Sequence, residues 1–113
     1  MHTHSKTFER ATALCDLMLE LCQHFPKYQR FTVGKKLEDL ALELVMSVAA
    51  IETLPDPLKM RELSIVIGKA NGFLTIAYFC FKKKLFNETN YITASELARE
   101  IAKMTQGWIQ SLR

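Results

Sequence analysis

The sequence has few of the residues that mark exported or disulfide-linked proteins. Its three cysteines, Cys15, Cys22 and Cys80, are an odd number, and no apolar segment of the export type precedes them. We interpret them as reduced thiols and expect the protein in the cytoplasm. The longest uncharged apolar run, residues 70–81, is too short to cross a bilayer and fits a buried helix.

Residues for metal binding and catalysis are also sparse. The three histidines are His2, His4 and His24, and only Glu20 and His24 form a pair spaced for one face of a helix. Tetrahedral zinc needs four converging ligands, so we expect no metal and no other cofactor. The four glycines are isolated, and we expect no serine to have a histidine placed to act as its base. The sequence therefore predicts a protein that is not an enzyme.

No stretch alternates apolar and polar residues for long enough to predict a strand. Apolar residues instead recur at steps of three and four, which is typical of amphipathic helices. Pro26 and the LPDP segment at 54–57 separate the patterns. Thr32 is the expected N-cap of the second helix, and Thr93 with Glu96 resembles a capping box for the fourth. Helices are predicted at residues 6–24, 33–53, 58–86 and 94–112.

Short connections between four such helices predict an all-α fold, an antiparallel up-down-up-down four-helix bundle forming one domain over residues 1–113. The third helix is apolar on nearly every side, so we expect a second subunit to cover part of it. Tyr78 and Phe79 could stack on bases, but few cations flank them, which favours subunit contact. Trp108 fits the core or an interface. The residues assigned to a subunit interface are Ile76, Phe79, Cys80 and Trp108.

The charge is mildly basic, with a formal net charge of +3 and a pI of about 8.8, which is compatible with an anionic partner. Lys35 and Lys36 are expected at the positive end of the second helix, where free amides and the helix dipole attract anions. We expect the first connection and the end of the third helix at opposite ends of the bundle, with charge spread between them. The alternatives are that KKK at 82–84 compensates a helix dipole and adds solubility, and that Lys27 and Arg30 only cap the first turn or form salt bridges there. Candidate nucleic-acid contacts are Lys27, Arg30, Lys35, Lys36, Lys59, Arg61, Lys82, Lys83 and Lys84.

Two segments show a family resemblance. FPKYQRFTVGKKLE, residues 25–38, resembles the FPK-x-x-RFT-x-G-x-x-LE signature of accessory variability determinant proteins, the four-helix-bundle partners of reverse transcriptases in diversity-generating retroelements. The signature occurs in looser form in the wider family named after intervening sequences of 23S ribosomal RNA genes. Residues 97–109 look like the closing L-x-x-x-I-x-x-M-x-x-GW pattern of the same proteins.

This resemblance implies a nonenzymatic basic bundle that assembles into a ring-shaped homopentamer. The ring would bind the reverse transcriptase and its structured RNA, or DNA or an RNA–DNA hybrid, and support mutagenic reverse transcription. The alternative is a structural or protein-binding bundle of the intervening-sequence family with no nucleic-acid role. The chain departs from the pattern at Gln106, where relatives often have glycine, and in its third helix, where Lys69 is the single cation between residues 68 and 81.

Overall fold

A computed structural model describes residues 5–113, and these residues form helices joined by short turns, with no strand among them. The prediction of an all-α fold is therefore confirmed. His2 and His4 lie outside the described residues. The four long helices are α1 (Ser5–Cys22), α2 (Lys35–Ile51), α3 (Asp56–Lys82) and α4 (Glu88–Ser111).

The apolar stripes of the four helices meet in one core. Both α1 and α3 pack against α2 and α4. Burial of a large apolar side chain contributes about 1.5–3 kcal/mol relative to exposure, so this core is the main source of stability. The largest fully buried side chains include Leu14 and Met18 of α1, Leu37 and Leu44 of α2, Phe73 of α3 and Ile101 of α4.

The chain becomes helical again directly after Pro26. A short helix at Lys27–Gln29 leads into a π-helical turn at Arg30–Gly34, which continues into α2. Thr32 therefore lies inside helical chain, and its hydroxyl donates to the Tyr28 carbonyl at 3.0 Å. The prediction that Thr32 is an N-cap is wrong, because Pro26, with φ −53° and ψ 149°, already provides the turn that precedes the helix.

The turn between α3 and α4 is earlier and shorter than predicted. α3 ends at Lys82, and Asn87 caps α4 by accepting a hydrogen bond from the Asn90 amide at 2.7 Å. The prediction of a capping box at Thr93 is wrong, because this residue lies inside α4 and its hydroxyl donates to the Thr89 carbonyl. Residues 88–93 form the first turns of α4.

Gly34 allows the start of α2 to lie close to the end of α1. A Cβ added at this buried position would lie 3.2 Å from the Gln29 carbonyl oxygen and 3.2 Å from Cδ2 of Phe25. Contacts this short require a neighbour to move. The glycine therefore fixes a close approach that a larger residue would disturb.

α3 is long and apolar enough to cross a membrane by length and composition, a test that core helices of soluble proteins also pass. Its buried residues, including Leu63, Val66 and Phe73, lie in the core shared with the other helices. The compact structure is consistent with a soluble protein.

Candidate nucleic-acid interface

The first connection and the end of α3 lie at the same end of the molecule. The Phe25 ring, which follows α1, packs edge-on against the Phe86 ring, which precedes α4, with centroids 5.3 Å apart. Tyr28 lines one groove together with Phe79 and Lys83. The expectation that these two regions lie at opposite ends is wrong, because the Phe25–Phe86 contact and this shared groove bring them together.

Six cations at this end are exposed and make no ion pair within residues 5–113. Lys35 differs, because its Nζ lies 3.2 Å from Asp39 one turn along α2. Unpaired cations keep their charge for an outside partner, so this end suits an anionic surface. We call the six residues the basic end: Lys27, Arg30, Lys36, Lys82, Lys83 and Lys84.

Lys59 and Arg61, two of the predicted nucleic-acid contacts, lie far from the basic end. At about 1.5 Å per residue, the length of α3 places them roughly 35 Å from Lys83. Lys59 is also paired with Asp56 at 3.5 Å, and its side chain is only 19% exposed. The structure therefore does not bring these two residues into the candidate site.

The start of α2 does not offer free amides to an anion. Lys35 and Lys36 lie in continuous helical chain that begins eight residues before Lys35. The Lys35 amide already donates to the Thr32 carbonyl. The predicted anion site at a helix N-terminus is therefore wrong, and Lys36 contributes to the basic end through its side chain alone.

Three exposed aromatic side chains lie among these cations. Tyr28 is 76% exposed, Phe31 is 63% exposed and Phe79 is 48% exposed. Arg30 Cζ lies 6.0 Å from the centre of the Phe31 ring, and Lys83 Nζ lies 5.6 Å from that of the Phe79 ring. Cations near an aromatic ring are attracted to its π electrons. The basic end thus presents positive charge and flat apolar surface together.

A groove runs between the π-helical turn and the end of α3. It consists of two hollows of ≈ 470 Å³ and ≈ 530 Å³, which share Thr32, Val33 and Phe79 in their walls. Lys83 lines the first hollow and Lys36 the second. Both volumes fall in the range of about 300–1,000 Å³ that small-molecule sites occupy. The groove is large enough to hold a flat ring beside a cation.

Sequence reasoning missed Tyr28 and Phe31 as candidate contacts. The signal available was the alternation of cations and aromatics in KYQRF, residues 27–31. Phe79 was assigned to a subunit interface because cations are not dense around it in the sequence, although Lys83 follows it by one helical turn. The structure brings Lys36 into the same groove from another helix, and sequence spacing does not show such a contact.

The end of α3 holds a lysine in an unusual backbone conformation. The Leu85 amide donates to the Cys80 carbonyl and the Lys84 amide to the Phe81 carbonyl, both at 2.9 Å. This is a Schellman motif, in which the left-handed residue is usually glycine. Lys84 occupies that position with φ 63°. A side chain there costs roughly 1 kcal/mol relative to glycine, but it adds a cation to the basic end.

Two of the four predicted interface residues belong to the chain's own core. Cys80 is fully buried and Trp108 is 3% exposed, so neither side chain has surface left for a second subunit. The prediction failed for Cys80 because it lies on the core-facing stripe of α3, seven residues after the buried Phe73. Ile76 is half-buried, Phe79 is exposed, and both line the groove.

The buried thiols are poor nucleophiles. Burial raises the pKa of Cys22 to about 12 and that of Cys80 to about 11, so the reactive thiolate is scarce near neutral pH. Burial raises the pKa of Cys15 as well. Within residues 5–113, no group of three or more His, Cys, Asp or Glu side chains is placed to hold a metal ion.

Comparison of the chain with protein-family models, with curated proteins and with solved structures gives no match. The candidate site is therefore defined by its own features: six unpaired cations, three exposed rings and a groove at one end of the molecule.

Proposed function

We propose that the protein is a nonenzymatic accessory factor that holds a nucleic acid at its basic end. The observation that carries this proposal is the convergence of six unpaired, exposed cations from two separate segments of the chain. Phosphates bind such cations and release their own counterions, which favours binding of a nucleic acid. Exposed rings beside the cations give the bases a surface to contact as well.

The segment that resembles accessory variability determinant proteins forms much of this end. Phe25 packs against Phe86 and Gly34 lies close to the Phe25 ring, so these two motif positions shape the connection. Lys27 and Arg30 of the same motif are exposed. We propose from this resemblance that the partners are a reverse transcriptase and the template RNA of a diversity-generating retroelement in the cytoplasm. The protein would support mutagenic copying of that RNA, and a DNA or RNA–DNA hybrid would offer the same phosphates.

An antiparallel up-down-up-down path is the topology that the contacts favour. Arg10, in the first half of α1, pairs with Glu100 at the middle of α4 at 2.6 Å. Phe25, just after α1, instead meets Phe86, just before α4. As the position advances along α1, its partner moves back along α4, which is the pattern of opposed neighbours in a bundle.

We further propose that the chain assembles with copies of itself, as the five-membered ring that the resemblance implies. The outer side of α3 supports this proposal. Added Cβ atoms at Gly68 and Gly72 would meet nothing within 4 Å, and Ile65 is exposed beside them. The single charged residue between positions 62 and 82 is Lys69, which already pairs with Glu43 at 3.2 Å. A second subunit can approach such a surface closely.

The alternative function is a structural or protein-binding bundle with no nucleic-acid role. The observation in its favour is apolar surface outside the basic end. Met46 is 61% exposed and Leu42 is 42% exposed on α2, and Leu58 is 50% exposed at the start of α3. Exposed apolar side chains of this size suit a protein partner.

Two charge-matched variants test the proposal. The first changes Lys27, Arg30, Lys82 and Lys83 to Gln at the basic end. The control removes the same charge elsewhere by changing Arg61, Arg99, Lys103 and Arg113 to Gln. All eight residues are exposed and unpaired within residues 5–113, so both variants should keep the fold.

We expect the basic-end variant to bind a structured RNA at least about tenfold more weakly than the wild type. The slope of log affinity against log salt should fall by about 0.7–0.9 for each lost phosphate contact. The control should bind close to the wild-type level. Equal losses in both variants would show that only net charge matters, and unchanged binding by the first variant would favour the protein-binding alternative.

A further inference from the structure

We infer that the basic end takes unpaired nucleotides, with bases stacked on Tyr28, Phe31 and Phe79, rather than the outside of a duplex. This inference rests on the proposed function, because it specifies which form of nucleic acid the basic end binds.

The rings of Tyr28 and Phe31 face solvent although the core lies close to them. On the same helical segment Val33 is half-buried and Gly34 is buried, while Tyr28 and Phe31 are 76% and 63% exposed. The helical backbone fixes both rings outward, so the free chain holds them ready for an outside group. Nucleobases are flat, and aromatic side chains are the surfaces on which single-stranded nucleic acids stack.

Each ring has a cation beside it. Arg30 Cζ lies 6.0 Å from the Phe31 ring centre, and Lys83 Nζ lies 5.6 Å from that of Phe79. Lys27 and Tyr28 line a third hollow, which includes Phe31 and Thr32. A nucleotide is a flat base joined to a charged phosphate. This surface has three matching pairs of an aromatic ring and a cation: Phe31 with Arg30, Phe79 with Lys83 and Tyr28 with Lys27.

The exposed rings favour unpaired nucleotides over a duplex. In an A-form duplex the base faces are stacked on one another, and a protein reaches phosphates, 2′-hydroxyls and base edges only. The three rings would then stay in water without a partner. In loops and single strands the bases turn outward and stack on aromatic side chains and on arginine.

A second copy of the chain is a poorer fit for this surface. A copy related by a two-fold axis would bring the same six cations to the contact, and like charges in close contact repel. The head-to-tail contacts of the proposed ring join different surfaces and are assigned to the outer side of α3. Only a strongly acidic protein surface could replace the nucleic acid here. The experiment below separates that case from the inference.

The test compares three probes of equal length, about 12 units, within the range that single-strand-binding surfaces cover. They are oligouridine, a chain of the same sugar-phosphate units without bases, and an RNA duplex. Binding is measured by fluorescence anisotropy for the wild type and for Tyr28→Ala, Phe31→Ala and Phe79→Ala. Met46→Ala is the matched control, because Met46 is 61% exposed on α2 and lines neither the groove nor the hollow at Tyr28.

We expect the wild type to bind oligouridine at least about fivefold more tightly than the chain without bases. Each aromatic variant should lose about fivefold or more on oligouridine and change little on the chain without bases. Met46→Ala should bind every probe as the wild type does.

The other outcomes overturn the inference in distinguishable ways. If the wild type binds strands with and without bases equally tightly, base stacking is excluded. Phosphate binding, and with it the proposed function, is then still supported. Tighter binding of the duplex overturns the choice of unpaired nucleotides. Unchanged oligouridine binding in all three aromatic variants points to a protein contact for the rings. Failure of the wild type to bind any probe overturns both proposals.

Discussion

Gly34 sets the distance between the start of α2 and the end of α1. A methyl group at this position would lie 3.2 Å from both the Gln29 carbonyl oxygen and the Phe25 ring. Because that carbonyl belongs to the helical backbone, the group can be accommodated only if the turn shifts. We expect Gly34→Ala to lower the free energy of unfolding by about 1–3 kcal/mol, measured by urea denaturation followed by circular dichroism.

Gly68 and Gly107 are the matched controls for this substitution. A methyl group at either position meets nothing within 4 Å, and both glycines lie inside helices. Alanine should therefore raise the free energy of unfolding by about 0.5–1 kcal/mol at each, through helix propensity alone. A stabilising effect of Gly34→Ala would mean that the turn accommodates a methyl group without strain at this position.

Two substitutions at Lys84 distinguish its effect on the free energy of unfolding from its effect on RNA binding. Its φ of 63° favours glycine, so Lys84→Gly should raise the free energy of unfolding by roughly 1 kcal/mol. The same substitution removes one cation of the basic end and should weaken RNA binding. Lys84→Gln should weaken binding to a similar degree without the gain in stability. If Lys84→Gly and Lys84→Gln unfold at the same urea concentration, the left-handed conformation makes no difference to stability.

At the scale of elements, Asn87 determines where α4 begins. Its side chain accepts a hydrogen bond from the Asn90 amide at 2.7 Å, which satisfies one of the amides at the start of the helix. We expect Asn87→Ala to lower the free energy of unfolding by about 1 kcal/mol. Thr93→Ala is the control and should have little effect, because that exposed residue lies inside the helix. A larger loss at Thr93 than at Asn87 would place the start of the helix at the later position.

The existence of the four helices could be predicted from sequence, but several of their ends could not. Periodic apolar residues such as Leu14, Leu44 and Ile101 identify the buried side of a helix wherever it begins. Thr93 with Glu96 has the composition of a capping box, yet the hydroxyl of such a threonine can equally donate back within a helix. Asn87, five residues after Lys82, provided an earlier cap that helical periodicity does not reveal.

The candidate site was predictable in its residue types but not in its location. The KKK run at 82–84 and the cations Lys27 and Arg30 were identified, while the distance between the two groups depends on the path of the chain. Lys59 and Arg61 have the same chemistry and lie at the other end of α3. Only contacts such as that between Phe25 and Phe86 show which cations converge.

At the scale of the whole molecule, self-association is the main prediction. We expect light scattering at micromolar concentration to give a mass several times 13.0 kDa, and five times for the proposed ring. Gly68→Glu would add charge and bulk to the uncharged outer side of α3 and should shift the mass towards 13.0 kDa with the helical signal kept. Gly107→Glu, also exposed but on α4, should leave the mass unchanged. A wild type that stays at 13.0 kDa is a monomer, and the ring is then excluded.

The π-helical turn at Arg30–Gly34 also sets the direction in which the preceding residues point. In an uninterrupted α-helix, the position seven residues before the buried Leu37 falls on the same side as Leu37, and that position is Arg30. A π-helical turn takes up one more residue, so Gln29 is half-buried while Arg30 is exposed. Deleting one residue from this turn would rotate residues 27–29 by about 100° relative to α2. The orientation of the basic end thus depends on helical phase, which a one-residue deletion alters while leaving the composition of the segment almost the same.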